Sequence, residues 1–167
     1  MAYTNNDGLY IKNGVEEANV ATGGEYRNDG PYHSVEVIVG DMTTLADTSA
    51  IISDTTIIPK GARIDEVQII NETAATSGGS AVLNVGLVRL DRTTAYDADG
   101  LIAAAALSTF DAAGETNVIR KGSTGAGALI GTTTAYPSLI CSDYDTAAFT
   151  AGKIVIRVIY RIPVSVS

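Results

Sequence analysis

One histidine, one cysteine and three short acidic or glycine-rich runs are the parts of this 167-residue chain whose residue types could do chemistry. His33 could act as a general base and Cys141 as the nucleophile it activates. Such a pair needs a third group to orient the base, and serine chemistry needs a G-x-S-x-G elbow, which is absent. His33 stands where a polar segment meets a strand and reads as a satisfied polar residue. Cys141 sits inside Ser138-Leu139-Ile140-Cys141-Ser142, an apolar run that makes it a buried core thiol rather than a nucleophile. A single histidine and a single cysteine also exclude a histidine-rich transition-metal site.

The acidic runs fare no better. Asp97-Ala98-Asp99-Gly100 matches the middle of a calcium loop, with Gly100 at the sharp-turn position. Ala95 and Ala106 then fall where oxygen ligands are required, so the run reads as an acidic turn, with at most a weak calcium site at Asp97 and Asp99. Asp143-Tyr144-Asp145 places two carboxylates near one another, but glycosidase chemistry needs them held across a cleft. Gly122-Ser123-Thr124-Gly125-Ala126-Gly127 suggests a phosphate loop. It lacks the Gly-Lys-Ser/Thr ending, and a strand-like segment follows it in place of a helix. No catalytic, cofactor-binding or metal-binding residue is assigned, and the chain reads as non-enzymatic.

The elements that would have to position a site read as strands. From Ile154 the residues alternate: Ile154, Ile156, Val158, Tyr160 and Ile162 share one face, and Lys153, Val155, Arg157, Ile159 and Arg161 share the other. Side chains alternate across a strand with period two, so this is a long, half-buried antiparallel strand. Its second face is apolar enough to expect cover from an arm or a neighbouring subunit. Val35, Val37 and Val39 give a first core strand, Ile64 to Asn71 another, and Ala81, Leu83, Val85 and Leu87 a further one. Pro59-Lys60-Gly61 reverses the chain between strands, and Thr73 to Ser80 reads as a hairpin connection. Ala128 to Thr133 and Ser138 to Cys141 read as shorter strands. Leu101 to Leu107 is the one helix candidate, because alanine has the highest helix propensity.

About eight strands, turn signals at sandwich spacing and no βαβ alternation predict an all-β, antiparallel, jelly-roll-like sandwich with one short helix. The sandwich is assigned to residues 33–167. Residues 1–32 are polar and glycine-rich yet hold four of the eight tyrosines, Tyr3, Tyr10, Tyr26 and Tyr32. A disordered tail is poor in aromatics. The segment therefore reads as an extended N-terminal arm whose tyrosines dock on the domain's own flank or on a partner.

A net charge of −8 with no cluster of lysine and arginine argues against nucleic acid. No apolar run approaches the ~18 residues of a membrane helix. Met1 to Asp7 has no charged start or apolar core of a secretion signal, so the expectation is synthesis in a cytoplasm. On that ground Asn71-Glu72-Thr73 is a glycosylation sequon only by chance.

Three segments carry a family likeness: Thr56-Ile57-Ile58-Pro59-Lys60-Gly61-Ala62-Arg63-Ile64, Ala81-Val82-Leu83-Asn84-Val85-Gly86-Leu87 and Phe149-Thr150-Ala151-Gly152-Lys153-Ile154-Val155-Ile156. They resemble the small jelly-roll structural proteins of tailed bacteriophages, the capsid cement or decoration proteins, over residues 33 to 162. The resemblance implies no catalytic residues and no cofactor. It implies a virion protein on the capsid surface, made in the host cytoplasm and bound to the major capsid protein. It further implies a homo-oligomer, with a trimer favoured over a dimer, and an arm running across the shell. The alternative is a carbohydrate- or receptor-binding jelly roll of a tail tip or head fibre. Tyr96, Tyr136 and Tyr144 beside loop acids would be its platforms, though tryptophan is absent.

Overall fold

Valine, isoleucine and threonine in alternation build the strands, and glycine-rich turns separate them. The computed structural model describes residues 32–162, together with four two-residue strands, β1 (Tyr3–Thr4), β2 (Tyr10–Ile11), β3 (Glu16–Glu17) and β4 (Val20–Ala21). The chain divides into two units, Met1–Pro31 and Tyr32–Ser167. In the first, β1 pairs antiparallel with β2, and β3 with β4. The remainder of the expected arm lies outside the described residues.

The second unit holds β5 (Tyr32–Val39), β6 (Ala50–Ile58), β7 (Arg63–Ser77), β8 (Val82–Arg89), β9 (Ala95–Ala106), β10 (Thr116–Arg120), β11 (Ser138–Asp145) and β12 (Phe149–Arg161). They form two four-stranded antiparallel sheets, ordered β10-β7-β12-β5 and β6-β11-β8-β9. Eight strands interleaved in this order are a jelly roll, as the sequence predicted. Ile154, Ile156 and Val158 of β12 and Leu83, Val85 and Leu87 of β8 meet in one core that both sheets line.

Residues 121–137 close one end and tie the sheets together. Gly127 N donates to Leu101 O and Leu129 N to Gly100 O on β9, while Gly131 N donates to Ile64 O and Ile64 N to Thr132 O on β7. Gly127 must be glycine here: a Cβ on it would come within 2.2 Å of the Gly100 backbone.

Four expectations are corrected. Leu101 to Leu107 is not a helix; Leu101 to Ala106 belong to β9, followed by a single 3-10 turn at Leu107–Thr109. Pairing with β8 and the bond from Ala103 N to Gly125 O outweigh the small intrinsic preference of alanine for a helix. Their small size lets the residue 121–127 loop lie close, with Gly125 packed against Ala103 O and the Ala105 Cα. Asp97 to Gly100 is part of that same strand and not a turn. Ala128 to Thr133, expected as a strand, runs as turns that supply the end-closing bonds above. Thr73 to Ser77, expected in a connection, extend β7.

Candidate interaction surface

The residues that could do chemistry are dispersed. His33 lies on β5, its ring stacked 5.6 Å from that of Tyr160. Cys141 lies on β11 in the other sheet, 2% exposed, and burial pushes its thiol up to about 11, far from a reactive thiolate. Asp97 and Asp99 project from one strand. Burial raises the Asp97 carboxyl, and the Asp99 carboxyl that hydrogen-bonds to it raises it further. Ser123, Ala126 and Gly127 spend their N–H groups on Arg120 O, Ser123 O and Leu101 O, so the glycine-rich loop is not an open phosphate cradle. Among the described residues no three of His, Cys, Asp and Glu are placed to hold a metal. Asn71 is fully buried, which closes its sequon to a glycan.

Of the four arm tyrosines, Tyr3 and Tyr10 fall on β1 and β2, and Tyr32 opens β5 opposite Arg161. Tyr26 and the side chains of all four lie outside the described residues.

What the fold does build is two contrasting outer faces. On the β10-β7-β12-β5 sheet the register places Glu36, Arg157, Gln68 and Val118 in one row across all four strands. Arg157 Nε donates to Glu36 Oε1 at 2.5 Å and its Nη1 to Gln68 Oε1 at 3.2 Å. Gln68 Nε2 donates to Glu66 Oε1, and Arg120 Nε to Glu66 Oε2, both at 2.7 Å. Arg120 thereby lowers the Glu66 carboxyl. Lys153 pairs with Glu72, and both Arg63 and Arg161 with Asp65. Val155, expected to need cover, is already 7% exposed beneath this ladder, between Ile38 and Ile70. On the same face Ile38 is 62% and Val118 41% exposed, and Ile159 is partly exposed. Five of the 11 lysines and arginines and four of the 19 acids lie in these pairs. The six cations and 15 anions left give the remainder of the chain a charge of −9.

On the β6-β11-β8-β9 sheet the outer face is apolar in the middle. Val88, Leu139 and Cys141 form a second small cluster with Ile51 packed on it. Charged side chains stand at the two ends of the sheet, Arg89 at one, in the alternation of the inward Leu83, Val85 and Leu87, and Asp143 and Asp145 at the other, in the outward one. At one, Arg89 lies over the Tyr136 ring, 3.8 Å from its centroid, and Tyr136 meets Tyr96 edge-on at 5.4 Å. Ala135 N donates to the Tyr96 hydroxyl. At the other, Asp143 accepts from Asn84 Nδ2 at 2.8 Å and Ser49 Oγ at 2.6 Å. Asp47, Asp143 and Asp145 there line a hollow of about 620 Å³. Tyr144 packs instead against the main core, so the three platform tyrosines do not converge. Arg89 carried no signal in the sequence, because its ring partner comes 47 residues later and only the β8–β11 pairing brings them together.

No protein-family model matches the chain, and no curated protein matches it in sequence. Solved structures do match. A chain of the cyanophage Pam1 capsid asymmetric unit aligns with a TM-score of 0.54 at 18% identity, over 79% of this chain and 85% of that one. A chain of the Ralstonia phage GP4 capsid aligns at 0.53 and 16% identity, over 81% and 87%. A chain of the Helicobacter pylori bacteriophage KHP30 capsid aligns at 0.48 and 15%, over 79% and 88%. The likeness to the first two is one of fold.

Proposed function

We propose that the chain is a virion structural protein, and within that class a cement or decoration protein on the outer surface of a phage head. The reading rests on one observation: the jelly roll is shared, over about four-fifths of this chain, with chains of two phage capsids. In this role the protein binds the major capsid protein and bridges capsomers, and assembles with copies of itself. A ligand that binds only the assembled shell stabilises it by linkage. Residues 1–31 serve as the arm and present Tyr3, Tyr10 and Tyr26, with Tyr32 at the start of the sandwich domain.

Co-sedimentation with purified heads tests this. The full chain pellets with heads, and a variant lacking residues 1–31 keeps its β-sheet circular dichroism but stays in the supernatant. A full chain that never pellets, or a truncated one that binds as well, defeats the reading. The carbohydrate alternative is disfavoured by Arg89, which already occupies a face of the Tyr136 ring where a sugar would stack. Binding on a glycan array would restore it.

A further inference from the structure

We propose that the chain associates head to tail, the Arg89–Tyr136 end of one copy seating in the Asp47/Asp143/Asp145 hollow of the next. This rests on the self-assembly part of the reading above and supplies its contact. Arg89 takes part in none of the described ion pairs, and its Nε is buried with no hydrogen-bond acceptor among the described residues. A guanidinium held in place on a tyrosine ring is suited to grip a carboxylate, and Arg–Tyr pairs are common interface anchors. Among the described residues, three of the five exposed large apolar side chains gather at this end. Leu90 (45%) follows Arg89, Tyr136 (40%) lies two residues before its partner Ser138, and Ile57 (45%) pairs with Leu139. An exposed apolar patch around an unpaired cation calls for an acidic, partly enclosed complement.

The chain carries that complement itself. Asp47 and Asp145 are exposed in the hollow, and no described ion pair neutralises them or Asp143. Asp143 pairs with Asn84, five residues along β8 from Arg89, so the two ends stand about 17 Å apart. They cannot meet within one copy. Two different patches that fit each other make a heterologous contact, which closes into a ring when the rotation between copies allows it. On the opposite sheet the described charges are already paired on the same face, so it offers no comparable charged complement.

Light scattering after gel filtration of the full chain tests the contact. The wild type runs at a multiple of 17.3 kDa, three-fold for a trimer. Arg89→Glu runs as a monomer, and so does the Asp47→Arg/Asp145→Arg variant; circular dichroism checks that each is folded, since Asp145 Oδ1 accepts from Thr146 N. Combined in one chain, the three substitutions restore the wild-type mass in a ring of any size, because each reversed end again meets an end of opposite charge; a head-to-head contact would still set like charge against like. A monomeric wild type, single-end variants that keep the wild-type mass, or a folded combined variant that stays monomeric overturns the inference. Head binding separates it from the parent reading. A monomeric Arg89→Glu that still pellets with heads leaves both standing, whereas an oligomeric one that pellets defeats the head-to-tail contact alone.

Discussion

On the outer face of the β10-β7-β12-β5 sheet the charged side chains find partners on neighbouring strands, from Glu36 through Arg157 and Gln68 to Glu66 and Arg120. On the β6-β11-β8-β9 sheet the middle is apolar and the charges stand at opposite ends, Arg89 at one and the aspartates at the other. The first face pairs its described charges within one chain, with Ile38 and Val118 left exposed. The second leaves Arg89 and these aspartates outside every described ion pair. Ion-pair ladders in contact with solvent contribute little to stability.

Three substitutions probe that contrast. The largest effect is expected beneath the second face, where a Cβ on Gly86 would stand 2.1 Å from Asp97 O and 2.2 Å from the Ala98 backbone. Backbone atoms cannot rotate away, so Gly86→Ala should cost about 3 kcal/mol or more in urea unfolding. A loss below about 1 kcal/mol would mean that β9 does not lie on β8 as described. The middle effect belongs to Cys141. Cys141→Ser puts a hydroxyl among Val88, Leu139 and Ile51 and should cost about 2 kcal/mol. The wild-type thiol, raised to about 11, also gives a pH signature. The unfolded chain loses this proton at lower pH than the folded one, so stability is full below pH 9.0 and falls as the pH rises toward 11. The serine variant should lack that decline.

The smallest effect should come from the ladder. Arg157→Ala removes two of its bonds, yet is expected to cost only about 0.5–1 kcal/mol, less at about 1 M salt. A loss comparable to that at Gly86 would erase the distinction between the faces.

The sequence carried the sandwich because burial writes alternation into strands such as β5 and β12. Val35, Val37 and Val39, and Ile154, Ile156 and Val158, are the inward sets expected from period two. β9 was illegible for a physical reason. Its Ala103 to Ala106 are selected by the close approach of a distant loop, a tertiary constraint that looks locally like helix propensity. Residues 128–133 misled in reverse: Leu129 and Ile130 are buried like strand residues but sit in turns that cap the core. The ladder was half visible. Arg157 and Arg161 announced a charged strand face, but nothing local to them showed Glu36 or Asp65 waiting across the sheet. The Arg89–Tyr136 contact had no trace at all, since cross-strand register decides it.

The position of β12 also sets the order in which this protein can be made. Glu36 and Arg157 are 121 residues apart, and β12 separates β5 from β7. While a ribosome is still synthesising residues 140 to 160, β5 and β7 lack the neighbour that joins them, and both present open edges. Folding of the sandwich must therefore wait for β12 and then proceed through long-range pairings, which are slow and exposed to aggregation. The yield of soluble protein should depend on the temperature and pace of synthesis more than on the stability of the finished sandwich.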